Sequence, residues 1–172
     1  MREVARTPEP FLLSLDGQLP RQGRALDIAG GTGRNALWLA RRGLEVTLAD
    51  ISETALRLAV DEALKRGLPL TTRSADLEVD PLPAGPWDLI VSCHFLWRPM
   101  YAAALEQLAP GGRLAVVQPT QSNLERHASP SQRFLLANGE LPGLASGFTI
   151  DYYDEAWRES GRHEAWLLAS KP

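Results

Sequence analysis

Along this chain, short apolar runs alternate with longer segments in which apolar residues return every third or fourth position. Short runs bounded by turn residues read as strands covered on both faces; the longer periodic segments read as helices. Ala25, Leu26 and Ile28 make the first predicted strand, with Asp27 near its carboxyl end, and residues 45–50 (EVTLAD) make the second. A short third strand is expected over residues 70–74, a fourth over residues 87–93 (WDLIVSC) and a fifth over residues 113–118. A helix is expected over residues 35–42, with Gly43 as its left-handed stop. Ser52 is a good N-cap for the next, in which Ala55, Leu56, Ala59, Val60, Ala63 and Leu64 share one apolar face before Gly67 and Pro69 end it. A further helix is expected over residues 100–108, followed by a tight Pro-Gly-Gly turn at residues 110–112. Residues 119–130 are too polar for core, residues 131–136 start another helix, and strands over 148–153 and 164–170 pair as a hairpin around Gly161. Ahead of all these, Phe11, Leu12, Leu13 and Leu15 suit a short helix with Pro8 or Pro10 in its first turn. Residues 1–20 then form a cap segment over the top of a pocket.

Strand and helix alternate almost throughout, which predicts an α/β sheet with helices on both faces and an antiparallel edge. The 172 residues suit one domain, residues 1–172. A net charge of −3 implies no general affinity for nucleic acid or anionic membrane. There is no apolar leader at the start and no run of about 18 apolar residues. The lone cysteine, Cys93, excludes an internal disulfide and suits a reducing compartment, so a cytoplasmic protein, monomer or homodimer, is expected.

The candidate chemistry begins at residues 24–34, RALDIAGGTGR, where a strand carrying an acid runs into a small-residue loop and then a helix. Glycines let a ligand approach the backbone, and the first helical N–H groups add partial positive charge beside it. Gly31, Gly33 and Ala36 fit the dinucleotide fingerprint, with Asp50 lying 17 residues beyond Gly33. That spacing alone supports a nicotinamide-dependent oxidoreductase. Asp27 opposes it, because a carboxylate at the loop repels a pyrophosphate. S-adenosylmethionine carries no phosphate but does carry an ammonium and a sulfonium, which Asp27 favours by Coulomb attraction. Asp50 can accept both ribose hydroxyls, Ile51 can lie against adenine, Asp76 can accept its exocyclic amine, and the Leu77 amide can donate to a ring nitrogen. An acid after a strand is also often only a helix cap or a turn residue, a reading that weighs most on Asp76.

On these residues the chain resembles class I S-adenosylmethionine-dependent methyltransferases: ALDIAGGTGR, VTLAD, SADLE, WDLIVSC and LAPGGRLAVV all match the family's motifs. GTGRNALWLARRG, RFLLANGEL and YYDE are similar to the small bacterial tellurite-resistance or thiopurine-methyltransferase-like branch. The resemblance implies a Rossmann-like, doubly wound, seven-stranded sheet of order 3-2-1-4-5-7-6. It implies Asp27, Ala29, Gly30, Gly31, Gly33, Asn35, Asp50, Ile51, Asp76, Leu77 and Cys93 as cofactor-binding positions. The chain departs from DxGxGxG at Ala29, which is small enough for the turn if its φ stays negative, and Gly30 stands where cysteine is frequent.

The stretch after the fourth strand, from Cys93 through His94, Phe95 and Trp97 to Arg98, should face the acceptor. It lacks the Asn/Asp-Pro-Pro-aromatic signature of many nucleic-acid and protein N-methyltransferases, which favours a small-molecule acceptor: a thiol, a selenium or tellurium oxyanion, or a hydroxyl. His94 is the candidate catalytic base, set against a plain hydrogen-bonding role; Cys93 is expected to be a wall residue rather than a nucleophile. Arg126 and His127 suit a lid or a solvated loop. His94, His127 and His163 show no ligand spacing, so no metal is expected. A non-catalytic S-adenosylmethionine-binding protein is the other reading the sequence leaves open.

Overall fold

The computed structural model describes residues 7–172, so the start of the expected cap segment, residues 1–6, lies outside the described residues. The elements are α1 (Pro10–Ser14), β1 (Arg24–Ile28), α2 (Arg34–Arg41), β2 (Glu45–Asp50), α3 (Glu53–Arg66), β3 (Thr71–Ser74), β4 (Trp87–Cys93), α4 (Met100–Gln107), β5 (Leu108–Pro119), α5 (Leu141–Leu144), β6 (Thr149–Trp157) and β7 (His163–Ser170). They form one seven-stranded sheet of order β3-β2-β1-β4-β5-β7-β6, the order the resemblance implies. β1 to β5 run parallel, while β7 runs antiparallel to both β5 and β6.

The pleat turns successive strand residues to opposite faces, and each face has its own core. Leu26 and Ile28 of β1 meet Ile90, Leu114 and Val116 under α4, where Met100, Tyr101 and Ala104 are buried. Ala25, Leu89 and Val91 face the other way, onto Phe11 and Leu12 of α1, Ala36 and Leu39 of α2 and Leu56 of α3. Pro10 occupies the first turn of α1, where its missing N–H costs no hydrogen bond. Ser52 caps α3, its Oγ accepting from the Ala55 amide at 3.2 Å, and left-handed Gly67 (φ 63°) ends the helix. The chain leaves β1 for β2 on one side and reaches β4 on the other, so strand order reverses between β1 and β4. Open α/β sheets bind ligands above such a reversal, at the carboxyl ends of the strands.

The structure departs from the expected elements in three places. The Pro-Gly-Gly turn does not precede β5 but lies inside it as a bulge: Leu108 pairs with Trp87, and Arg113 already pairs with Leu89. The end of the chain draws the turn into the sheet, since the Gly111 amide donates to Lys171 O and the Lys171 amide to Gly112 O, each at 2.9 Å. Residues 131–136 form no helix. A single 3₁₀ turn over Gln132–Phe134 gives way to extended backbone, because Leu135 and Leu136 are both buried and Leu136 bridges to Thr120. On α3, Leu56, Ala59 and Ala63 make a narrow buried stripe, and Leu64 falls outside it at 72% exposure.

Candidate active site

The loop after β1 turns more sharply than the sequence suggests. Ala29 sits in the left-handed region (φ 50°), contrary to the expectation of a negative φ. It must turn there because Gly30 passes directly over the acid: a Cβ on Gly30 would lie 2.4 Å from both Asp27 Oδ2 and Leu48 Cδ1. Cysteine at this position therefore has no room here. A Cβ on Gly31 would instead point into open space, and the Gly31 amide donates to Asp50 Oδ2 at 2.8 Å. Gly33 (φ 81°) is the N-cap of α2, and its own Cβ would touch Ala59 at 3.0 Å.

Asp27 is fully buried. Its Oδ2 accepts from the Ala36 amide at 3.1 Å, in the first turn of α2 rather than in the loop, and Oδ1 has no partner among the described residues. Burial pushes the carboxyl up to about 7, against the lowering influence of the Ala36 amide and the Arg34 guanidinium. Asp50, half-buried at the end of β2, ties two segments together: Oδ2 takes the Gly31 amide, and Oδ1 the Ser52 amide at 2.8 Å. Beside it the Ile51 side chain is 67% exposed. Asp76 Oδ1 accepts from the Glu78 amide at 3.1 Å, the turn role weighed for it from sequence. Leu77 is buried, and its amide has no acceptor among the described residues. Cys93, half-buried at the end of β4, has its thiol pushed well up by burial and so remains neutral.

His94 follows β4 in the left-handed region (φ 61°), its amide donating to Val117 O at 2.8 Å. Its Nε2 lies 3.2 Å from Glu9 Oε2, an atom that also accepts from Arg34. The Glu9 amide in turn donates to Asn35 Oδ1 at 2.9 Å, so the buried Asn35 side chain holds the segment ahead of α1. Burial pushes the Glu9 carboxyl up, but the hydrogen bond and charge of His94 and the Arg34 guanidinium outweigh it and hold the group below its ordinary value. Glu164 is buried nearby and accepts from the Trp166 indole at 2.9 Å. Among the described residues, Glu9, His94 and Glu164 bring their potential ligand atoms within 4.8 Å of one another, a grouping the histidine spacing gave no hint of. Both carboxylates already have donors in Arg34 and Trp166.

His94 divides two cavities. One, of about 630 Å³, is lined by Glu78, Phe95, Leu96, Gln118, Phe134 and Arg162 among others. The second, of about 590 Å³, lies between Glu9, Arg34, the tip of the β6–β7 hairpin at Arg158 and Trp166 of β7. The segment after β5 is pinned to that tip. Fully buried Asn123 donates to His163 O and accepts the His163 amide, His127 contacts Gly161 O at 2.8 Å, and Arg126 stacks over Trp157. Arg126 and His127 are thus docked on the hairpin. Glu9, Arg34, Gln118 and Glu164 line or hold the site without having been singled out from sequence; 85 residues separate Glu9 from His94, and no local pattern marks the pair.

Residues 25–112, just over half the chain, match the methyltransferase domain family. The chain belongs to that family. It is 36% identical over 118 residues to the ubiquinone/menaquinone biosynthesis C-methyltransferase UbiE of Azotobacter vinelandii, a stretch covering 63% of this chain and 46% of that protein. The chain spans about half the length of the curated relatives it matches. Its fold is that of TehB from Haemophilus influenzae (TM-score 0.78, 23% identity, 94% of this chain and 61% of TehB). It also matches a SAM-dependent methyltransferase from Methanosarcina mazei (TM-score 0.73, 21% identity, 96% of this chain and 98% of that one). Among the described residues no helix is long and apolar enough to cross a membrane.

Proposed function

We propose that this chain binds S-adenosylmethionine and catalyses transfer of its methyl group to a small-molecule acceptor, residues 7–172 acting as one domain capped by α1. Family membership supports the reaction class, and one observation at the site carries the cofactor reading: the buried Asp27 carboxyl, one oxygen unpartnered, beneath a loop open at Gly31. A burial-strained acid there favours a ligand bearing positive charge and disfavours a pyrophosphate. The other residues fit the rest of such a ligand. Asp50 has used two of its roughly four acceptor positions, which leaves room for a ribose diol. Exposed Ile51 offers an apolar face for adenine, and the unused Leu77 amide offers a donor to its ring. When bound, the cofactor supplies a methyl group activated by a sulfonium. The protein's part is to align the acceptor and exclude water, in the cavity beside His94.

Calorimetric titration of the cofactor-stripped protein with S-adenosylhomocysteine, and separately with NADH, tests the reading. Micromolar binding of the first is expected, weakened at least about 10-fold in Asp50→Ala through loss of charge-assisted hydrogen bonds. Thermal melts confirm that the variant is folded. Binding of NADH, or of neither ligand, overturns the proposal.

A further inference from the structure

His94 and Glu9 come together from opposite ends of the site in a way that specifies which imidazole nitrogen is basic. Glu9 is buried with its carboxyl held below its ordinary value, so its Oε2 accepts, and in the neutral imidazole the nitrogen facing it, Nε2, carries the proton. Nδ1 then holds the lone pair, and it has no partner among the described residues. The side chain is 36% exposed and borders both cavities, and Nδ1 is the nitrogen that Glu9 does not hold. Left-handed backbone at a histidine is costly and persists where its surroundings over-determine it, which is common at functional sites. The charged groups lining the two cavities beside the ring are Glu9 ahead of α1, Arg34 of α2, Glu78 beyond β3, Arg158, Glu159 and Arg162 in the hairpin tip and Glu164 of β7.

We propose that Glu9 and His94 form a base dyad, and that the acceptor is a small aromatic hydroxyl compound whose proton passes to His94 Nδ1. This rests on the methyltransferase reading and narrows its acceptor. A thiol or a chalcogen oxyanion reaches its nucleophilic form near neutral pH unaided, whereas a neutral hydroxyl needs a positioned base. Phe95, Leu96 and Phe134 on the wall of the larger cavity give a flat ring apolar and aromatic surface, and about 630 Å³ suits a small ligand. In the transfer, the acceptor oxygen forms the new bond to the methyl carbon, and the carbon–sulfur bond breaks with its electron pair left on sulfur. The hydroxyl proton ends on Nδ1, and Glu9 stabilises the resulting imidazolium until solvent removes the proton from the exposed ring. Glu9 is a positioning residue: it acts through His94 and not on the substrate.

The test uses the full chain with phenol, 4-nitrophenol and thiophenol as acceptors. Binding of S-adenosylhomocysteine is measured first, so that failure of the methyltransferase reading shows separately. Long-range ¹H–¹⁵N spectra of the wild-type protein should show neutral His94 protonated at Nε2, and Glu9→Gln should mix the two tautomers. With phenol, Glu9→Gln and His94→Gln should each lower kcat about 100-fold with KM little changed. The loss should be much smaller with the more acidic 4-nitrophenol. With S-adenosylhomocysteine bound normally, three results each overturn the dyad: an Nδ1–H tautomer in the wild type, turnover of thiophenol alone or of no phenol, or equal losses on all acceptors.

Discussion

Replacing Asp27 by asparagine should change how stability depends on pH. Burial holds the Asp27 carboxyl at about 7 in the folded protein, against an ordinary value of 3.8. Between those values the folded state binds more protons than the unfolded one, so stability is present in full below pH of about 4, falls as pH rises through about 7, and is flat above. A gap of about three pH units corresponds to a loss on the order of 4 kcal/mol, a large part of a total typically of about 5–15 kcal/mol. Asparagine keeps an acceptor for the Ala36 amide and titrates nowhere, but it buries an unpaired N–H₂ at a cost of about 1–3 kcal/mol at every pH. The variant should therefore be the less stable protein at pH 4.5 and should equal or overtake wild type at pH 8. Urea unfolding of both proteins at pH 4.5, 6 and 8 measures the difference. The paired carboxylates Glu9 and Glu140, both held below their ordinary values, weaken the fold in acid but do so equally in both proteins, and so cancel. A difference between the two proteins that stays constant across this range refutes the account of Asp27.

The loop itself gives two sharper tests. Ala29→Gly removes a side chain from left-handed backbone and should raise stability by about 1 kcal/mol in urea unfolding, leaving S-adenosylhomocysteine affinity within about twofold. Gly30→Ala places a Cβ against Asp27 and Leu48 and should cost about 1–3 kcal/mol. It should also weaken S-adenosylhomocysteine binding in calorimetry, because relieving the contact moves either the acid or the loop.

The sequence was most legible where short-range physics decides. Apolar runs placed β1, β2 and β4 almost to the residue, Ser52 and Gly67 bounded α3, and the motifs carried the sheet order. It was least legible where a distant backbone overrides a local signal. Pro110 to Gly112 read as a turn, yet Lys171 pulls them into the sheet. Residues 131–136 read as the start of a helix, yet Leu135 and Leu136 are both buried and Leu136 bridges to Thr120 at the end of β5, which requires extended backbone. At the site, the acids at strand ends could be named from spacing, but the tertiary partners could not: Asp50 holds Gly31, and Asn35 reaches back to Glu9. Glu9 beside Pro10 was not singled out from sequence, and only the third dimension buries it against His94 and Arg34.

The first turn of α2 shows why the GTGRNA stretch carries more than a glycine loop. Successive helical residues point about 100° apart, so one turn can serve three directions at once. Here the Ala36 amide holds Asp27 below, the Asn35 side chain holds the Glu9 backbone, and Arg34 holds the Glu9 carboxylate. Glu9 then meets His94 beyond β4. The same few residues thus connect the loop proposed for the cofactor, the segment ahead of α1 and the imidazole proposed as the base. On the proposed reading, a ligand that orders residues 29–33 would act on the first turn of α2, and through Arg34 and Asn35 on the Glu9 carboxylate beside His94.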